Sequence, residues 1–135
     1  MIFLDTNVIV DLVTRDGEWF EWSSRTVTDA FRFGPLAISQ IVLAELHARA
    51  AVARQYEVLR ARLGIAVVPL SDAAAIRGGQ AHGVYRERAG PREAILADFL
   101  IGGLCSVLGA SLITRDRQRF ASYFPELTLI SPEGA

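Results

Sequence analysis

The sequence predicts an α/β fold built on a parallel sheet that is covered on both faces. Three observations carry that expectation. Short continuous apolar runs alternate with stretches of helical periodicity, the pattern left by strands buried on both sides. The chain has 135 residues, one domain's worth, and no repeat, low-complexity tract or linker interrupts it, so residues 1–135 are expected to form a single domain. Hydrophobic residues make up 51% and charged residues 21%, a balance that lets a chain of this length bury a core without covalent staples.

Taken in order, Ile2-Phe3-Leu4 reads as the first strand, and helical periodicity runs from Asn7 to Val13. Residues 14–24 are acidic and aromatic (Asp16, Glu18, Trp19, Phe20, Glu21, Trp22) and read as a loop or short helix. Residues 26–33 are helical until Gly34-Pro35 stops them. Leu36-Ala37-Ile38 is the second strand, and Ser39 can cap a helix through Ala53 and, with a kink, on to Leu63. Gly64 ends it, and residues 65–68 form the third strand. Ser71 or Asp72 caps the next helix, whose continuity Gly78-Gly79 and Gly83 put in doubt. Pro91 suits the first turn of a helix over 92–108. Ser111-Leu112-Ile113 is the fourth strand, residues 117–123 a short helix, and Leu127-Thr128-Leu129-Ile130 the fifth strand.

Composition excludes several chemistries. All fourteen cations are Arg, so the phosphate-loop lysine, pyridoxal Schiff bases and the kinase lysine are absent. Fifteen Asp plus Glu bring the net charge to -1, which excludes nucleic-acid binding by bulk charge but not by a local basic patch. A lone cysteine, Cys105 in an apolar run, excludes an internal disulfide and a cysteine-rich zinc site and reads as a core residue. The apolar run over 94–113 carries the single charge Asp98 and three Gly after it, and is read as a buried helix, a break at Gly109 and a strand rather than a membrane span. The opening Met1-Ile2-Phe3-Leu4-Asp5 carries no cationic stretch typical of an export signal, so a cytoplasmic location is expected.

Four carboxylates interrupt apolar patterns. Asp5 follows the first strand and Asp116 the fourth; each suits a helix cap, yet both fall at the carboxyl edge of the sheet, where ligands of open α/β folds bind. Glu45 shares a helical face with Ile41, Ala44, Ala48 and Val52, an apolar stripe expected to face the core, with Arg49 as the alternative surface partner. Asp98 is the only charge over 94–108; alone and ionised it would cost several kcal/mol, so it either stays protonated or shares a site with a cation. Four acids at one site repel one another unless a hard cation joins them, which points to Mg²⁺ or Mn²⁺ and to phosphodiester hydrolysis.

These residues resemble the PIN-domain ribonucleases and, within them, the VapC-type toxins of bacterial toxin–antitoxin pairs. Asp5-Thr6-Asn7 resembles the opening motif, Glu45 within Ser39-Gln40-Ile41-Val42-Leu43-Ala44-Glu45-Leu46 the second acid, and Ala97-Asp98-Phe99-Leu100-Ile101-Gly102-Gly103 the third. Leu112-Ile113-Thr114-Arg115-Asp116 followed by Phe120 resembles the closing Thr-Arg-Asp motif. Gly102-Gly103 departs from the usual Ala-Ala, a small-for-small change expected to matter little, and the loop around Trp19 and Trp22 fits no family motif. The resemblance spans the chain and implies a three-layer α/β/α sandwich on a five-stranded parallel sheet. It implies Asp5, Glu45, Asp98 and Asp116 as the catalytic acids; Asp5, Asp98 and Asp116 as metal ligands; Asn7 and Thr114 as groups that orient them; and a homodimer, to which the positive mean hydropathy also points.

A cation-lined rim must draw RNA to such a site. Arg115, Arg117 and Arg119 flank Asp116, and Arg86, Arg88 and Arg92 precede the buried helix; Arg86 and Arg117 are the expected RNA contacts. His82 reads as a surface residue, and Trp19 and Trp22 as exposed candidates for contact with a cognate antitoxin. A dehalogenase-like phosphatase needs an Asp at position 7, which is Asn, and a phospho-receiver needs a lysine; no nucleophile elbow is present either. The alternatives left are a non-catalytic PIN-like module that binds RNA or protein, and a housekeeping RNA-processing nuclease.

Overall fold

The structure, a computed structural model, describes residues 1–15, 17–88 and 95–133. The elements run β1 (Ile2–Leu4), α1 (Thr6–Thr14), α2 (Phe20–Phe33), β2 (Leu36–Ser39), α3 (Gln40–His47), α4 (Ala50–Leu63), β3 (Ala66–Val68), α5 (Asp72–Glu87), α6 (Leu96–Leu108), β4 (Ser111–Ile113), α7 (Arg117–Ala121) and β5 (Leu129–Ile130). The five strands form one sheet in the order β3-β2-β1-β4-β5, every pair parallel. Right-handed crossovers put α1–α4 on one face and α5–α7 on the other. The packing agrees: α1 touches α2, α3 and α4, while α6 touches α5 and α7. Strand residues Phe3, Leu4, Leu36, Ala37, Ile38, Leu112 and Ile113 are all buried, which is why their runs carry no polar alternation. The three-layer sandwich expected from the sequence is the fold observed.

The chain leaves β1 toward β2 on one side and reaches β4 on the other, so the strand order reverses between β1 and β4. In open parallel sheets that reversal opens a crevice beyond the carboxyl ends of the strands. Leu4 pairs with Ile113, which sets Asp5 beside Thr114 at that crevice.

Several elements differ from expectation. The second helix begins at Phe20, so half of the acidic–aromatic segment is helical; Trp22 and Trp19 are half-buried, not exposed, and Trp22 packs on the core. The helix capped by Ser39 does not run to Leu63: α3 stops at His47 and Arg49 turns extended (φ -124°, ψ 115°) before α4. Gly64 and Gly109 end α4 and α6 in the left-handed conformation (both φ 62°), as a residue without Cβ allows. Pro91 and Arg92 lie outside the described residues, and α6 is seen from Leu96.

The fifth helix is continuous despite its glycines, and tertiary packing explains why. A Cβ on Gly78 would stand 2.5 Å from the Phe99 carbonyl oxygen, and one on Gly103 would stand 2.5 Å from the Ala74 carbonyl oxygen. The two helices approach backbone to backbone, and the contact offsets the helix propensity the glycines forgo. Gly102 meets the Phe124 ring in the same way, 2.5 Å from Cε2. The exchange of Gly102-Gly103 for alanines is therefore not neutral in this chain. Cys105 lies fully buried beside this seam, its thiol pushed up to about 12 by burial. Among the described residues no helix is long and apolar enough to cross a membrane.

Candidate active site

Asp5 leaves β1 in an extended conformation and caps α1. Its Oδ1 accepts from the Thr6 backbone N–H at 2.8 Å, and its Oδ2 accepts from the Thr114 hydroxyl at 2.7 Å and from Asn7 Nδ2 at 3.4 Å. The cap and the site are thus one arrangement. Asp5 is 3% exposed. Burial pushes its carboxyl up to about 6; the bonds from Thr114 and Thr6 oppose that, the Asp98 charge adds to it, and Arg119 opposes it. Thr114, fully buried, accepts from the Asp116 N–H at 3.0 Å while donating to Asp5. Asn7 also accepts from the Arg115 N–H at 3.4 Å. Both groups therefore hydrogen-bond to Asp5 and tie β1 to the segment that follows β4.

Asp98 enters from the first turn of α6 and is 6% exposed. Burial raises its pKa above the usual carboxylate value, Arg119 lowers it, and the charges of Glu45 and Asp116 raise it. Arg119 is its cation, with Nη1 at 3.5 Å from Asp98 Oδ1. The same guanidinium pairs through Nε with Asp116 Oδ2 at 2.7 Å. Asp116 precedes α7 but makes no capping bond.

Glu45 reaches the site for a different reason than expected. The core face of α3 is Val42 and Leu46, while Ala44 and Ala48 are exposed and Glu45 is half-buried. The stripe drawn through Val52 crosses the break at Arg49, so it is no single helical face. Glu45 Oε1 accepts from the Thr6 hydroxyl at 2.6 Å, and that bond, rather than Arg49, holds it at the cleft.

A cleft of about 320 Å³ is lined by Asp5, Thr6, Asn7, Val10, Glu45, Asp98, Arg115 and Arg119. Arg86 and Arg117, the expected RNA contacts, do not line it. Both are exposed, and Arg117 Nη1 lies 3.5 Å from Ser131 Oγ. Arg115 and Arg119 take the places instead. Arg119 was legible as the residue three after Asp116, on the same helical face.

Asp11 went unnoticed in the sequence. It is 5% exposed, accepts from the Ser23 hydroxyl at 2.7 Å and stands 2.9 Å from Arg115 Nε, in an ion pair whose N–H is not aligned for a hydrogen bond. The Arg115 guanidinium also lies 5.6 Å over Trp19. Asp11 is a lone charge in Val8-Ile9-Val10-Asp11-Leu12-Val13, the same signal that marked Asp98. His82 is not a surface residue but half-buried, its ring 5.1 Å from that of Phe99.

The donor set tests the expected metal. Every candidate ligand is a carboxylate oxygen, as a hard cation requires, and burial disfavours the charged form of both Asp5 and Asp98. Among the described residues no three His, Cys, Asp or Glu side chains converge tightly enough to grip an ion on their own; Asp116 is turned to Arg119. That fits a cation held by one or two carboxylates and completed by water, the habit of Mg²⁺, and not an all-protein cage.

The fold and the crevice of acids define a class: a family model for the PIN domain matches residues 2–123, and the chain belongs to that family. Among solved structures the chain is similar to that of VapBC2 from Rickettsia felis bound to a promoter DNA fragment (19% identity, 97% of this chain and 98% of that one, TM-score 0.76). It is similar also to FitAcB from Neisseria gonorrhoeae (22%, 100% and 100%, 0.70). A third likeness is to Mycobacterium tuberculosis VapC20, described as a sarcin–ricin loop cleaving toxin (19%, 94% and 98%, 0.65). No curated protein sequence matches the chain.

Proposed function

We propose that this chain is a metal-dependent endoribonuclease that hydrolyses phosphodiester bonds in RNA, acting in the cytoplasm as the toxin of a toxin–antitoxin pair. The observation that carries the reading is the pair Asp5 and Asp98. Two carboxylates are buried within interaction range of each other at the strand-order reversal, both raised by burial, and one cleft opens onto them. Capping accounts for Asp5 alone; two buried carboxylates, with the Asp98 charge raising Asp5, suit a phosphodiester hydrolase.

Asp5 and Asp98 would hold Mg²⁺ or Mn²⁺, with Asp116, turned to Arg119, at the edge of the set. When bound, that cation lowers the pKa of a water and neutralises phosphate oxygens. The chain's own residues do the rest. Thr114 and Asn7 orient the Asp5 carboxylate, Thr6 orients Glu45, and Arg115, paired with Asp11 and lying over Trp19, presents its charge at the cleft wall. Arg86 and Arg117 lie further out and serve the flanking RNA backbone.

The toxin role and a cognate antitoxin are supported by the similar structures, which include toxin–antitoxin complexes. The acid cleft offers an antitoxin Arg side chain a ready partner. A homodimer would cover apolar surface such as Phe33, which is 87% exposed. The deciding experiment mixes the purified chain with single-stranded RNA and Mn²⁺. Cleavage that needs the metal and stops when the co-expressed upstream small protein is added supports the reading. No cleavage of total cellular RNA, together with normal growth on overexpression, overturns it.

A further inference from the structure

Among the described residues, Arg119 is the one guanidinium on the cleft wall whose partners are themselves site acids. It spans Asp98 at 3.5 Å and Asp116 at 2.7 Å, and its charge also acts on Asp5. Arg115, by contrast, is committed to Asp11 at 2.9 Å and to Trp19. The Arg119 side chain is 45% exposed while the Asp98 side chain it pairs with is 8% exposed. The guanidinium thus lies on the solvent side of Asp98, at the cleft wall and on a short surface helix. A buried carboxylate needs positive charge, and here the chain supplies it.

We propose that Arg119 is a resident counter-ion that competes with the divalent cation for Asp98 and Asp116. This rests on the nuclease reading and deepens it. With Arg119 in place the two acids are compensated; metal binding must displace it, and the freed guanidinium then stands at the cleft mouth, where a phosphate of the RNA is the natural partner. Metal affinity is consequently set below what the same carboxylates would give alone. Glu45, whose field also reaches Asp98, keeps the site negative enough for the exchange to proceed.

The test is a calorimetric titration of the full chain with Mn²⁺ alone, no RNA present. Arg119→Gln should bind Mn²⁺ about tenfold more tightly than the wild type. Arg119→Lys, which keeps a charge but loses the fork that spans two carboxylates, should fall between them and serves if the Gln variant does not fold. Equal or weaker Mn²⁺ binding by the variants overturns the inference and leaves the nuclease reading standing. Failure of every form, wild type included, to bind Mn²⁺ at millimolar concentration overturns both. A purely structural Arg119 would lower the melting temperature without tightening the metal.

Discussion

The first turn of α6 and its middle lie one turn apart and are built on opposite terms. The first turn buries Asp98, whose charge burial disfavours and which a single half-exposed arginine compensates. The middle buries Gly102 and Gly103, where the absence of a side chain lets the Ala74 carbonyl and the Phe124 ring close in. One region gives up stability to keep a buried carboxylate; the other gains it by close packing on a backbone carbonyl and an aromatic ring. The difference teaches that apolar surroundings alone do not mark a structural helix. What each residue's neighbours would lose on its removal does.

The largest effect expected is at Asp98. Asp98→Asn keeps the shape and removes the charge, so RNA cleavage should fall about 10²–10³-fold or more while the melting temperature of the metal-free protein holds or rises. Cleavage at the wild-type rate, on a substrate the wild type cuts, would erase the distinction between the two regions. Asp5→Asn should behave alike, since an Asn Oδ1 can still accept from Thr6 N–H.

Next comes pH. The Asp5 carboxyl is raised from 3.8 to about 6 in the folded chain. The folded state then holds the proton more tightly than the unfolded one. The contribution is fully present below pH 4 and lost as pH rises through 6, about 3 kcal/mol in all. Urea denaturation of metal-free wild type and Asp5→Asn should give similar stabilities near pH 4 and a gap favouring Asn by pH 8. A gap that does not change with pH would show that Asp5 is not held against its charge.

Thr114 sharpens the comparison within the site. Thr114→Val leaves Asp5 Oδ2 with only the 3.4 Å bond from Asn7 and strips the Asp116 N–H of its acceptor. Mn²⁺ affinity and cleavage should drop about 10–100-fold, and Thr114→Ser should restore most of both.

Much of this was legible in the sequence because it followed from local chemistry. Strand runs without polar alternation, Ser39 and Ser71 as caps, and Gly64 and Gly109 as stops all depend on a few neighbouring residues. Asp5 and Asp98 stood out as charges in apolar runs. What escaped required knowing which elements meet. Glu45 was grouped with Asp5 and Asp98, whose cleft it lines, by the wrong stripe, because the break at Arg49 has no signature such as Gly or Pro. Of the three arginines around Asp116 the sequence singles out Arg117, yet the short α7 turns Arg119 inward and Arg117 toward Ser131. Asp11 required only that the rule used for Asp98 be applied once more. The continuity of α5 was hidden because Gly78 answers to α6, not to α5.

That last point yields the smallest and cleanest test. Gly78 and Gly79 are adjacent in α5, and helix propensity favours alanine at either by up to about 1 kcal/mol. Their surroundings differ. A Cβ at Gly78 would meet the Phe99 backbone at 2.5 Å, whereas one at exposed Gly79 would find nothing within 4 Å. Gly79→Ala should therefore stabilise the chain by somewhat less than about 1 kcal/mol. Gly78→Ala should destabilise it by about 1–3 kcal/mol, since the colliding atoms are backbone and cannot rotate away. Gly103→Ala, facing Ala74 from the other helix, should match Gly78→Ala in sign. Cleavage per folded molecule should hold in Gly79→Ala. In Gly103→Ala it should decline only as far as the shift of α6 carries Asp98 out of line with Asp5. Chemical denaturation of the three variants measures the first effect and a kcat comparison at saturating RNA the second. Equal stability changes at Gly78 and Gly79 would mean that α5 and α6 do not approach this closely, and that Gly102-Gly103 could be Ala-Ala after all.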